Sequence, residues 1–174
     1  MLKTTTGPGF RPAMGKVREA LFSILEANGV HWPEARVLDL FAGSGSLGFE
    51  ALSRGAAFVS FVESASYAAS VIAKNAELLG VEEERIAIRK EQAGKVLGKR
   101  PAQPFSVVFI DPPYEMRVLG HTLTNLVKNG WLTPGAIVNA EVEAHAPLDP
   151  AKAHPALTLL ADRAYGQTRV LLWT

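Results

Sequence analysis

The chain has 174 residues, with 18 basic against 17 acidic side chains and a formal net charge of +1. Its length suits one domain with a substantial core, and 48% apolar against 20% charged residues excludes a disordered chain. The lack of cysteine excludes disulfide staples, thiol nucleophiles and thiolate metal sites. With no apolar run near the roughly 18 residues of a membrane span and no signal pattern, a cytoplasmic protein without a membrane partner is expected.

Residues 1–14, with Thr4-Thr5-Thr6-Gly7-Pro8-Gly9 among them, read as a flexible lead-in. Lys3, Arg11, Lys16 and Arg18 are four bases with no acid among the first 18 positions. They suit either a solvated arm or one that contacts RNA phosphates. A helix follows through Val17, Leu21, Ile24 and Leu25, with Gly29 as its stop. Val37, Leu38, Leu40 and Phe41 then form a short apolar run without alternation, the mark of a strand buried on both faces. The pattern continues with a helix over 47–53, a strand over 58–62, a helix over 67–79 and strands over 86–89 and 106–110. A helix over 118–128 and a strand over 136–142 come next, then a proline-bearing loop over 144–156. Segments 157–164 and 168–173 flank Tyr165-Gly166-Gln167 as a hairpin. The sum is a single α/β domain over 1–174: a mainly parallel seven-stranded sheet with helices on both faces and a C-terminal antiparallel hairpin.

The first strand runs into Phe41-Ala42-Gly43-Ser44-Gly45-Ser46-Leu47-Gly48. Glycines there let a ligand approach the backbone at a helix start, and Glu63 closes the next strand where a ribose-binding acid is expected. A nicotinamide dinucleotide fits poorly, because Asp39 would repel its pyrophosphate and no residues remain for a substrate domain. A ligand with a ribose, an adenine and a cationic tail fits better, which is S-adenosylmethionine. Asp39 would face its ammonium, Gly43 and Gly45 its methionine part, and Glu63 both ribose hydroxyls. A tight turn alone would also use these glycines.

The fourth strand delivers Asp111-Pro112-Pro113-Tyr114 to the same sheet edge. A nucleobase amine is a poor nucleophile because its lone pair is delocalised. Asp111 and the Pro112 carbonyl, accepting its two N–H bonds, would free that lone pair and stabilise the charge that develops. Pro112 and Pro113 fix the turn, and Tyr114 offers a face on which a flipped base stacks. A plain proline turn ending a strand is the competing reading.

Four segments together carry a likeness: Arg11-Pro12 with Val17-Arg18-Glu19-Ala20-Leu21-Phe22; residues 38–48 with Glu50-Ala51-Leu52-Ser53-Arg54; Asp111-Pro112-Pro113-Tyr114; and Tyr165-Gly166-Gln167-Thr168. On these the chain resembles the RsmD-type methyltransferases, which methylate the 2-amino group of a guanine in small-subunit (16S) ribosomal RNA. The resemblance implies a Rossmann-like class I methyltransferase fold. It also implies S-adenosylmethionine contacts at Asp39, Phe41, Ala42, Gly43, Ser44, Gly45, Glu63, Ser64, Gln92, Ala93 and Asp111, and a catalytic turn at Asp111, Pro112, Pro113 and Tyr114. Three departures stand out. Ten residues precede Arg11, so the family's basic N-terminal hairpin is expected to be truncated. Gly15 stands where relatives commonly carry an acid. The third cofactor loop reads Glu91-Gln92-Ala93, with Gln92 aligned to the adenine contact.

The expected partner is ribosomal RNA, within a partly assembled small subunit because a short chain has no separate reading module; the expected state is a monomer without metal. DNA adenine methylation is an alternative, weakened by the same missing module, and so is a non-catalytic ribosome-assembly factor on this fold. Protein glutamine methylation goes with Asn rather than Asp at position 111. His31, His121, His145 and His154 have no metal-ligand spacing and read as surface or loop residues. Trp131 reads as a core plug, and Glu82-Glu83-Glu84 as a solvated turn.

Overall fold

The computed structural model describes residues 12–112 and 116–174, so Lys3, Arg11, Pro113 and Tyr114 lie outside the described residues. The first helix, α1 (Pro12–Ala27), already opens at Pro12, two residues inside the expected lead-in. Pro at a helix start is natural, since its missing N–H has no intrahelical partner there. Leu21, Phe22 and Leu25 turn one stripe of α1 fully inward, and Gly29, at φ 89°, carries the chain out of the helix.

The elements then alternate: β1 (Arg36–Leu40), α2 (Ser46–Ser53), β2 (Phe58–Val62), α3 (Ser66–Leu78), β3 (Ile86–Arg89), α4 (Ala93–Leu97), β4 (Phe105–Ile110), α5 (Met116–Lys128), β5 (Leu132–Glu143), β6 (Leu159–Tyr165) and β7 (Thr168–Trp173). The seven strands form one sheet in the order β3-β2-β1-β4-β5-β7-β6. The first five are parallel, and β7 runs antiparallel to both β5 and β6. Strand order reverses between β1 and β4, so a crevice opens beyond their carboxyl ends. Asp39 pairs in register with Phe109, and Leu40 with Ile110. These two strands therefore release the glycine loop and the Asp111 turn side by side.

Strand pleating divides the core. Val37, Phe61, Phe109 and Ile137 face Leu21, Phe22, Phe49 and Ile72 of the first three helices. Leu38, Leu40, Ile110 and Val138 face Val96, Leu97, Leu119 and Leu123 of α4 and α5. Burial on both sides explains why the central strands read as continuous apolar runs. Trp131 is buried as expected, stacked on Phe105 with its indole N–H donating to the Lys99 carbonyl at 2.8 Å.

Beyond α1, the helix α4 and the strand β5 differ most from the sequence expectation. The five-residue α4 is too short to show a periodic signal. The β5 strand begins at Leu132, ahead of Pro134-Gly135, because the pairing with β4 shifts register between Phe105 and Val107 and absorbs the interruption. At the far edge, Gly166 (φ 61°) and Gln167 form the hairpin's two-residue turn, braced by Arg169 donating to both carboxylate oxygens of Asp162 at 2.8 and 2.6 Å.

Helix α2 packs unusually close to the sheet at Gly48, where an added Cβ would lie 2.2 Å from a ring carbon of Phe61. Gly48→Ala should therefore cost about 1–3 kcal/mol through overpacking. Chemical denaturation would show this as a lowered midpoint at unchanged slope; an unshifted midpoint would contradict it.

Candidate active site

The loop after β1 is under conformational demand. Phe41 has φ 59°, a left-handed conformation that is a true outlier for a bulky side chain, and Gly43 and Gly45 follow at 56° and 79°. Such strain persists only where surroundings enforce it, and it gathers at functional sites. Here the enforcement is visible. The Ala42 N–H donates to the Val62 carbonyl at 3.1 Å, and the Gly45 N–H to the Ala42 carbonyl at 2.7 Å. Asn75, fully buried on α3, donates to the Ser44 carbonyl at 3.2 Å.

The glycines serve different ends. A Cβ at Gly45 would strike the Phe49 ring at 2.8 Å, so that glycine answers to packing. A Cβ at Gly43 would meet nothing within 4 Å. The backbone at Gly43 faces open space, as a surface built for close ligand approach requires.

Glu63, at the end of β2, ties the loop together. One carboxylate oxygen accepts the Gly43 N–H at 2.9 Å and the other the Ala65 N–H at 2.7 Å. A carboxylate has about four acceptor sites, so both oxygens keep capacity for a ligand's hydroxyls. Beside it lies a cavity of about 260 Å³, lined by Phe41, Val62, Glu63, Ser64, Glu91, Gln92, Ala93 and Gly94, and from α5 by Val118, His121, Thr122 and Asn125. Its apolar walls with a few polar groups suit a flat, partly polar ligand such as a nucleoside.

On the other side of the loop the crevice is acidic. Asp39 is 3% exposed and accepts the Gly48 N–H, in the first turn of α2, at 3.0 Å. Burial nevertheless raises its carboxyl well above the ordinary range, and Asp111, Glu141 and Glu63 add to the rise. Asp111 keeps exposed surface, yet enough protein crowds it that burial raises its carboxyl too. Glu141, near the end of β5, is pushed up to about 7 by burial and by Asp111. The register pairing of Ile110 with Ala140 sets Asp111 and Glu141 side by side. Alternation along β1 and β5 places Asp39 and Glu141 on the face that carries Val37, Phe109 and Ile137, and Asp111 is the first residue past the end of β4. Among the described residues, no lysine or arginine pairs with any of the three.

The family model described as conserved hypothetical protein 95 matches residues 1–174. The chain belongs to this family. Its relatives include ribosomal RNA small subunit methyltransferase D of Haemophilus influenzae, 38% identical over 84% of this chain and 75% of that protein. The protein of the same name from Escherichia coli K12 is 38% identical over 86% of this chain and 74% of its own length. The solved structure of HI0767 from Haemophilus influenzae, a candidate methylase, superposes with a TM-score of 0.79 at 35% identity, covering 93% of this chain and 98% of that one. That of yhhF from Escherichia coli, a candidate methyltransferase, gives a TM-score of 0.83 at 33% identity over 98% and 90% of the two chains. The likeness to RsmD-type methyltransferases and the expected methyltransferase fold both hold.

Phe41, Glu63, Ser64, Gln92 and Ala93 line one cavity. Ala42, Gly43, Ser44 and Gly45 form the adjoining loop, and Asp39 and Asp111 the acidic side, where Pro112 is half-buried. Asp39 is built into the wall through Gly48, which fills part of its accepting capacity. Of the basic arm, Lys16 is exposed, while Arg18 lies 3.5 Å from Glu50. The histidines lie outside the core as expected, but His121 also lines the cavity. Glu141 carried no sequence signal: it follows an apolar run near the end of β5, and only the sheet register brings it to Asp111.

The Glu141 carboxyl gives the folded protein a pH dependence. Its ordinary value is 4.5 and its folded value about 7, so between these pH values the native state holds a proton that the unfolded chain has released. Its contribution to stability therefore falls as pH rises through that window. Glu141→Gln removes the cost. The variant should melt above the wild type at about pH 8, with the difference closing near pH 4, in thermal scans at both. A gap of equal size at both pH values would contradict this assignment.

Proposed function

We propose that this protein is an S-adenosylmethionine-dependent methyltransferase acting on the exocyclic 2-amino group of a guanine in 16S ribosomal RNA. The observation that carries the reading is the release of Asp111-Pro112 beside the strained glycine loop and its cavity, at the one point where strand order reverses. Its relatives' name, ribosomal RNA small subunit methyltransferase D, supports the substrate class.

The donor set fits the cofactor. Phe41 and the Gln92-Ala93 wall suit an adenine, Glu63 the ribose hydroxyls, and the open backbone at Gly43 the amino-acid part. The uncompensated carboxylates beside the loop favour a cationic ligand over a phosphate-bearing one. Bound there, S-adenosylmethionine supplies an electrophilic methyl group. The remaining work falls to the chain. Asp111 and the Pro112 carbonyl accept the two N–H bonds of the base amine, turn its lone pair out of conjugation and stabilise the positive charge it acquires. The raised carboxyl of Asp111 makes it a better acceptor for the proton that the substituted amine sheds. Tyr114, which follows in the sequence, would supply the face on which the flipped base stacks.

RNA is the favoured partner despite the balanced charge. Arg89, Lys90, Lys95, Lys99 and Arg100 are all exposed around α4, next to the cavity wall at 91–94, and only Lys99 is engaged, with Glu91 at 3.4 Å. These bases can meet phosphates alongside Lys3, Arg11 and Lys16. We further propose that the substrate is RNA shaped by a partly assembled small subunit, met by a monomer in the cytoplasm.

Nucleoside analysis of ribosomal RNA from cells with and without the protein should show N2-methylguanosine lost in its absence. Asp111→Ala should lower methyl transfer into undermethylated subunits about a hundredfold or more. Unchanged N2-methylguanosine, or full activity in Asp111→Ala, would refute the reading.

A further inference from the structure

Glu141 needs an explanation that the reaction so far does not give. Its side chain is half-buried beside Asp111, with no hydrogen-bond or ion-pair partner among the described residues. Burying such a carboxylate is costly unless something donates to it. Leaving it free lowers the stability of the empty protein, a cost that active sites commonly carry for function. The donor should therefore come from a ligand in the crevice.

Geometry restricts which ligand. Asp111 directly follows Ile110, the last residue of β4, which pairs with Ala140 just before Glu141; adjacent strands run about 4.8 Å apart, on the scale of one hydrogen-bonding edge of a nucleobase. By strand alternation Glu141 lies on the sheet face that carries Asp39, and Asp111 leaves the end of β4 beside it. A base whose amine is held by Asp111 and the Pro112 carbonyl would turn the next position of its edge toward β5. In guanine that position is the ring N1–H, a donor. In adenine the ring nitrogen beside the amine is an acceptor, which would oppose an ionised carboxylate.

We propose that Glu141 is a specificity-determining residue that accepts the ring N1–H of the target guanine while Asp111 and Pro112 hold its amine. The inference rests on the guanine-amine reading above and assigns the base selectivity to a named group. It gives the unpartnered carboxylate a donor and gives the site a reason to reject adenine. Asn139, fully buried two residues earlier on the same strand face, holds its own amide to the Leu171 carbonyl at 3.3 Å and leaves Glu141 unengaged.

The test uses two small-subunit substrates that differ at one nucleotide, the one that nucleoside analysis identifies. One carries guanine there; the other, made by RNA ligation, carries 2-aminopurine, which keeps the 2-amine but has an acceptor at N1. Wild-type protein should prefer guanine by roughly a hundredfold or more in kcat/KM, because a site built to pair an N–H rejects the analogue that lacks it. Glu141→Gln, whose amide can donate to that acceptor, should lose most of this preference. Glu141→Asp, a shorter acceptor, should keep the preference at reduced rate. Thermal melts verify that both variants are folded. Equal loss on both substrates in Glu141→Gln, or a wild type indifferent to them, would overturn the proposal while leaving guanine-amine methylation standing. Failure of the wild type on the guanine substrate would sink the parent reading and the inference together.

Discussion

Three carboxylates share one end of the sheet, and among the described residues no cation pairs with them. Asp39, Asp111 and Glu141 are brought together by backbone register, two of them raised partly by one another. Like charges so placed favour protonation in the empty protein and welcome positive charge or N–H donors in the occupied one. Most other features of the site make sense as devices that hold this arrangement. Asp39 is fixed by the Gly48 N–H at the start of α2, where the helix dipole also favours a negative charge. Asp111 is fixed at the strand end by Pro112.

The glycine loop is the second half of the device. Phe41 takes a left-handed conformation that its side chain disfavours, and the Val62 carbonyl, the Glu63 carboxylate and Asn75 keep the loop in place around it. Glu63 thus has two duties, holding the loop and lining the cavity, which couples the loop's shape to whatever occupies the ribose position. Behind both halves, α2 lies almost against the sheet through Gly48, and aromatic contacts such as Phe49 with Phe61 at 4.9 Å leave little room for drift. A site held to this tolerance can place two reactants in line rather than merely near each other.

Much of this was legible in the sequence for identifiable reasons. The central strands are short runs buried on both faces, so residues 58–62 could be bounded to the residue. The loop glycines and the Asp-Pro-Pro turn are local signals, visible wherever they occur. Glu141 is a different kind of feature. Its importance lies in the strand beside it, and pairing across a parallel sheet leaves no mark in a linear chain. The same holds for His121, Thr122 and Asn125, which reach the cavity only because α5 packs against α4. The basic strip around α4 was hidden by a net charge near zero.

The central claim is spatial: one crevice must hold a sulfonium donor and a base amine together over the carboxylate of Asp111. A crystal structure of the protein soaked with S-adenosylmethionine tests it most directly. The account predicts adenine between Phe41 and Gln92, ribose on Glu63, and the methyl group turned toward Asp111. A donor seated elsewhere on the sheet, or one whose methyl points away from that carboxylate, would contradict it.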